Sequence, residues 1–364
     1  MSVENKNVNN DPTQEKIKFI LELFNSNKLI ETKKEIEKQL IKYSKSSVLF
    51  NILGAVLAEQ NKPQEALENY NKSIKINPNY SQAYNNLGVC LYRLGKIDEA
   101  IQGYRKAIEI QPKHADAYNN LGAAFKELGK HEKSITCFQK AIEIQPKHAN
   151  AHNNLGAAFR ELKEYKKSIY YYEKAIQINP NSPVAYSNLG NVYKSLREYE
   201  KAISWHQKAI QINSEYVYAY YNLGTVFEKL NEFEKAIDHY SKAIEIQPNH
   251  IDAYTNLLWN TCLSNDQKYL EIAKKYYEAI PKYDERGSTQ YKTSSQKILK
   301  VGFVSGDFRH HSVVFFLLDT FKYLRKKKIK LFAYSNNSYE DDFTKLIKQY
   351  VDNWVSIIYK TDKD

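Results

Sequence analysis

The chain has 364 residues, 42% of them hydrophobic, which is enough for roughly two packed domains. Its formal charge is +11, yet lysines and glutamates interleave along helical faces, as in "KIDEAIQGYRKAIEI", so a nucleic-acid partner is not expected. The longest wholly apolar run, Val313 to Leu318, is too short to span a bilayer, and the N-terminus "MSVENKNVNNDPTQEK" is polar throughout. Cys90, Cys137 and Cys262 fit no metal-ligand spacing and read as reduced core residues of a soluble, cytoplasmic protein without a metal. The one dense basic run, Arg325 to Lys328, ends a predicted helix, where cations suit the macrodipole.

In chain order, residues 1–46 comprise a polar N-terminus and a degenerate helical pair at 14–43 that would cap whatever follows. From residue 47 one unit recurs. Gly54, Gly88, Gly122, Gly156, Gly190 and Gly224 follow one another at a constant interval, as do Ala66, Ala100, Ser134, Ser168, Ala202 and Ala236. A further small-residue column is Ser73, Ala107, Ala141, Ala175, Ala209 and Ala243. Each unit closes on a helix breaker, Pro78, Pro112, Pro146, Pro180 and Pro248, with Ser214 the exception. Small residues at these places let two antiparallel helices approach, while Leu87, Leu91, Tyr104 and Ile108 fill the space around them.

The interval is 34 residues, from Gly54 to Gly88 and onward, and on these residues 47–250 resemble six tetratricopeptide repeats. Such a stack buries its core between neighbours and leaves a long concave groove. A second column bears on that groove: Asn86, Asn120, Asn154, Asn188, Asn222 and Asn256, again one repeat apart. Asn is a poor helix former, so its recurrence in mid-helix has a reason outside propensity. A ladder of amides can hydrogen-bond an extended peptide backbone without reading its side chains. Duplication of units 115–148 and 149–182, which are nearly identical, is the competing account. His114, His148 and His250 sit at equivalent turns between units; lacking companion ligands, they read as solvent-exposed turn residues and not as a metal column.

Residues 251–283 begin another unit ("IDAYTNLLWN") and lose the pattern, keeping a helical stripe of Tyr269, Ile272, Ala273, Tyr276 and Ile280. The polar tract 284–296 is a linker. Beyond it the period changes to strand at 297–305, helix from Val313 to about Lys327, strand at 329–335, helix through "FTKLIKQYVDNW" and strand at 354–359. That order opens a parallel α/β domain, in which ligands collect where strand carboxyl ends meet helix N-termini. The loop "GDFRHH" lies there, offering Asp307, Arg309, His310 and His311 for orienting, anion-holding or proton-transfer roles.

Helical repeats that run into "NLLWNTCLSND", a polar linker and then "KVGFVSGDFRHHSV" resemble the O-GlcNAc transferase family and its SPINDLY-type relatives. Ser305, Asp307, Phe308 and His311 match that family's Ser-x-Asp-Phe motif with its following His, which selects His311 over His310. The resemblance implies an array that guides polypeptide acceptors along its Asn column, and a cleft between two Rossmann-like halves. There His311, with Asp307, would stand where nucleotide-sugar and acceptor hydroxyl meet.

The expected fold is therefore mostly α, a tetratricopeptide solenoid followed at 297–364 by the truncated start of a Rossmann-like glycosyltransferase domain. The resemblance implies transfer from UDP-GlcNAc, or from GDP-fucose as the alternative donor, to Ser or Thr of proteins. The donor-binding half lies outside this sequence, so no cofactor is assigned to the chain alone. A non-catalytic peptide-binding adaptor with a vestigial C-terminal remnant is the reading from another class.

Overall fold

The computed structural model describes residues 11–262, 272, 275, 299–305, 329–335 and 342–356. The chain divides into two compact units, residues 1–253 and 254–364.

The first unit is a run of antiparallel helical pairs. They are α1 (Gln14–Asn25) with α2 (Leu29–Lys42), α3 (Ser47–Glu59) with α4 (Pro63–Ile76), and α5 (Ser81–Arg93) with α6 (Ile97–Ile110). Next come α7 (Ala115–Glu127) with α8 (His131–Ile144), and α9 (Ala149–Glu161) with α10 (Tyr165–Ile178). Then follow α11 (Pro183–Ser195) with α12 (Tyr199–Ile212) and α13 (Val217–Lys229) with α14 (Phe233–Ile246); α15 (Ile251–Cys262) comes after them. Pro63 and Pro183 stand at the first helical position, where a missing N–H costs nothing, and each closing proline lies just past the second helix.

The two helices of a pair are reversed by one residue in the left-handed region, and these residues keep the repeat interval: Asn27, Asn61, Gly95, Gly129, Lys163, Arg197 and Asn231. Gly and Asn suit that conformation; Lys and Arg do not. Asn27 extends the periodicity to the N-terminal pair, which the glycine column alone does not mark.

What holds each pair together is a ring lying on a glycine. A Cβ on Gly122 would stand 2.6 Å from Cε1 of Phe138, and one on Gly224 would stand 2.5 Å from Cε1 of Tyr240. Tyr70, Tyr104 and Tyr172 cover Gly54, Gly88 and Gly156 in the same way, and His206 covers Gly190. The helix thus gives up side-chain volume at Gly so that the partner helix can bury a whole aromatic ring. In the N-terminal pair the positions one repeat before Gly54 and Tyr70 are Ile20 and Ile36, both fully buried. There the volume is shared between two medium side chains. The Ala and Ser of the small columns are buried throughout, and Ser168 uses its hydroxyl to bond the carbonyl of Gly156 at 2.8 Å.

The second unit holds a three-stranded parallel sheet, β1 (Leu299–Ser305), β2 (Ile329–Ser335) and β3 (Asn353–Ser356), in the order β1-β2-β3, with α16 (Asp342–Lys348) between the last two. The register pairs Ser305 with Ser335 and Ser335 with Ser356, so all three strands end together. Asp352 fixes the entry into β3, accepting the N–H of Leu331 at 2.7 Å and donating its own to the Leu331 carbonyl at 2.9 Å. The strands stand where the period change places them: β1 is described from 299, with 297 and 298 outside the described residues, β2 begins at 329 as expected, and β3 begins at 353, one residue before the expected start. The linker 284–296 and the helix expected at 313–327 lie outside the described residues. Among the described residues no helix is long and apolar enough to cross a membrane.

Candidate functional site

First helices of successive pairs approach one another directly, α3 with α5, α5 with α7, α7 with α9, α9 with α11 and α11 with α13, whereas second helices show no comparable approach. A stack closer on one side is concave on that side, so the first helices line the inner face.

The Asn column lies on those helices, and each member is half-buried. Five of the six, Asn86 to Asn222, bond back to the preceding repeat. The Nδ2 of Asn86 donates to Oδ1 of Asn51 at 3.0 Å, Asn120 to Asn85 at 3.0 Å, Asn154 to Asn119 at 2.9 Å and Asn188 to Asn153 at 3.0 Å. Asn222 donates to the hydroxyl of Ser187 at 3.2 Å. The column is therefore a staple between repeats, a role that neither peptide capture nor duplication alone describes. Its signal was in the doublet: the acceptor is the residue just before each column member, so an Asn-Asn pair one repeat apart reaches across a spacing of 35. The staple uses one amide hydrogen. Asn86 also accepts from Gln82 at 2.9 Å, while among the described residues no protein donor engages Oδ1 of Asn154, Asn188 or Asn222. Asn256 stands on α15, in the second compact unit.

The inter-repeat histidines are not solvent-exposed. His114, His148 and His250 are 6%, 7% and 8% exposed, and each caps a first helix. Their Nδ1 atoms accept the N–H of Ala117 at 3.4 Å, Ala151 at 3.2 Å and Ala253 at 3.2 Å. An N-cap must present an acceptor to an otherwise orphaned N–H, and a neutral imidazole does so as Ser46 does for Leu49 at 3.1 Å. With Nδ1 accepting, the proton of His148 sits on Nε2, which donates to Asp116 in the repeat before at 3.1 Å. That bond holds the Asp116 carboxyl below its ordinary range, and burial pushes His114 below the usual histidine value. The capping Ser46 lies two repeats before His114, and that shared column is the pattern that marks these histidines as caps. No group of three metal-ligating side chains occurs among the described residues.

Beside the column the inner face deepens into two adjoining cavities of about 410 and 380 Å³ that share Lys194 and Ser195. Asn222 of the column lines the first. Lys194 donates to the hydroxyl of Thr225 at 2.8 Å; burial, with Arg160 and Lys229 nearby, pushes its ammonium down to about 8.

Of the expected reaction-pocket residues, Asp307 and His311 lie outside the described residues, as do Arg309 and His310. Ser305, the first residue of that motif, is the last of β1.

Models of the tetratricopeptide repeat match residues 54–95 and 190–231, 79–147 and 113–181, 171–204, and 217–250, running without a break from 54 to 250. No curated protein matches the sequence. Among solved structures, the crystal structure of the APC/C hetero-tetramer Cut9–Hcn1 is similar with a TM-score of 0.60 and 19% identity, over 70% of this chain and 50% of that one. This chain thus spans about half the length of that relative. A structure of Pseudomonas aeruginosa PilF aligns at 18% identity and a TM-score of 0.48, over 63% of this chain and 97% of that one.

Proposed function

We propose that this chain, a member of the tetratricopeptide repeat family, captures extended polypeptide segments on the inner face of its array, with the amide column holding the segment's backbone. The observation that carries the reading is the column from Asn86 to Asn222, stapled at one end and open at the other. An amide fixed through one hydrogen still offers a second N–H, and at Asn154, Asn188 and Asn222 an open carbonyl. An extended backbone needs that pair of groups, and neither reads side chains. Because the staple immobilises the amides beforehand, binding does not have to order them.

The test separates the two roles of the column. Changing Asn120, Asn154 and Asn188 together to Ala is expected to weaken capture of unstructured peptides by about tenfold or more, read by fluorescence anisotropy on a variant that keeps its helical circular dichroism. Changing Asn119 to Ala removes a buried staple acceptor and keeps every column amide, so it is expected to lower the melting temperature and to weaken capture less than the triple variant, by about fivefold at most, the cost of ordering Asn154 alone. Unchanged capture by the triple variant would leave the column a staple only.

A second reading concerns the C-terminal unit. We infer that residues 297–364 open a catalytic domain of O-GlcNAc transferase type, the array feeding polypeptide Ser or Thr to a site that includes His311 and Asp307, with UDP-GlcNAc as donor. The parallel sheet whose strands end together at Ser305, Ser335 and Ser356 favours it, because the motif residues 307–311 follow in sequence on the strand end at that carboxyl edge. GDP-fucose is the alternative donor. Incubation with labelled UDP-GlcNAc and a peptide mixture is expected to label peptide in the wild type and not in His311→Ala. Label that survives His311→Ala would remove the assigned role of that residue. No label in the wild type, with GDP-fucose equally inert, would leave the peptide-binding adaptor.

A further inference from the structure

Elsewhere on the inner face cations are spent in pairs: Arg93 bonds Glu59 at 3.0 Å, and Lys126 lies 3.6 Å from Glu161. Around the two adjoining cavities this stops. Arg160, Lys163, Lys194, Arg197 and Lys229 line them, and among the described residues none of the five forms an ion pair. The one carboxylate in the lining, Glu161, is engaged by Lys126 and by His131 at 3.4 Å.

Two independent costs mark the place. Lys163 and Arg197 occupy the left-handed turn position, at φ of 60° and 62°, where the two preceding repeats use Gly95 and Gly129. A long side chain there costs on the order of 1 kcal/mol against Gly. Lys194 meanwhile holds its ammonium in a partly desolvated site beside two like charges. Broken local rules that coincide in space are expected where a surface is kept for a ligand and not for the fold. Oδ1 of Asn191, in the same cavity, is buried without a hydrogen-bond partner among the described residues.

We propose that this surface receives an acidic stretch of the captured polypeptide, its Asp or Glu carboxylates over Arg160, Lys194 and Lys229 while Asn191 and Asn222 take backbone N–H groups. The inference rests on the groove reading above and adds the chemical class of its partner. Carboxylates supply the neutralisation that the five cations lack within the array, and a backbone amide supplies the donor that Asn191 lacks. The groups facing Lys194 are Arg160, Lys229, Glu228, Thr225 and the buried His206. A carboxylate favours the charged ammonium, so affinity is retained at neutral pH and is lost as pH rises above about 8.

Fluorescein-labelled peptides of one length, a Glu-rich sequence and its Gln counterpart, are titrated with the full chain by anisotropy at low and moderate salt. The Glu peptide is expected to bind at least tenfold tighter, with the advantage shrinking in salt and between pH 8 and 10. Arg160→Gln/Lys194→Gln/Lys229→Gln is expected to erase that advantage while leaving the Gln peptide's Kd within about twofold. Lys194→Arg is expected to keep the advantage and remove its pH dependence. In the absence of peptide, Lys163→Gly/Arg197→Gly is expected to raise the melting temperature. Equal binding of Glu and Gln peptides overturns the acidic preference and leaves the groove standing; no binding of either overturns both. Binding of labelled oligo-dT as tight as the Glu peptide would overturn the assignment to protein.

Discussion

Truncating Phe138 to Ala is expected to destabilise the array by roughly 3–5 kcal/mol, the largest loss any single apolar side chain here should produce. The ring is fully buried, packs with Leu155, Ala158 and Phe159, and lies on Gly122 in the middle of the stack. A solenoid is stabilised only by neighbour contacts, so a cavity at this joint should also split its unfolding into two transitions, one for each side. The same geometry makes a sharper test through Gly122. Alone, Gly122→Ala sets a Cβ 2.6 Å from Cε1 of a ring that cannot move aside, and it is expected to destabilise despite the better helix propensity of Ala. In the Phe138→Ala background the obstruction is gone, so the same change is expected to stabilise by about 1 kcal/mol. Chemical denaturation of the four proteins gives the coupling directly; additive effects would mean that the Gly–ring contact is not what joins the two helices.

Much of this was legible beforehand because a repeat states its rules several times over. The glycine and proline columns locate twelve helices, and the period change locates three strands. Three things were hidden for physical reasons. The N-terminal pair was expected at 14–43, but its register was hidden because Ile20 and Ile36 share the volume and leave no glycine to align; the left-handed Asn27 keeps that register. The histidine caps were hidden because Nδ1 acting as an acceptor looks, in sequence, like any polar turn residue. The cationic surface was hidden because Arg160 and Lys194 continue a column that begins with the paired Lys126, while Lys229 stands one position past that column, where Glu228 occupies it. Charge patterning along one helix reads such residues as ordinary solvated face. Only the stack, which sets neighbouring first helices side by side, brings them to one place.

The ring column has one exception, and it carries the second large effect. His206 stands where the neighbouring repeats have Tyr172 and Tyr240, fully buried against Gly190. The Ser187 hydroxyl accepts from Asn222 at 3.2 Å and lies within hydrogen-bond reach of Nδ1 of His206, also at 3.2 Å. Its Nε2 is buried without a partner among the described residues. Burial pushes this histidine down to about 3, with Lys194 adding to the effect. A base whose pKa is lowered by folding contributes stability that is whole above the unfolded value, near 6.5, and is lost as pH falls toward the folded one. Each pH unit across that window costs about 1.4 kcal/mol for one proton, so wild-type stability should fall by on the order of 2 kcal/mol between pH 6.5 and 4.5 from this residue alone. Tyr240 bonds Glu228, twelve residues before it, at 2.9 Å, whereas the Tyr172 hydroxyl, with Arg160 at that spacing, is buried without a partner among the described residues. A tyrosine takes up no proton in that window, so His206→Tyr is expected to flatten the acid limb and to stay within about 1 kcal/mol of the wild type at pH 7, one unpaired buried polar atom replacing another. Urea denaturation at pH 7, 5.5 and 4.5 reads both effects. A variant that loses stability with acid as steeply as the wild type would show that His206 is not the group whose protonation opens the array.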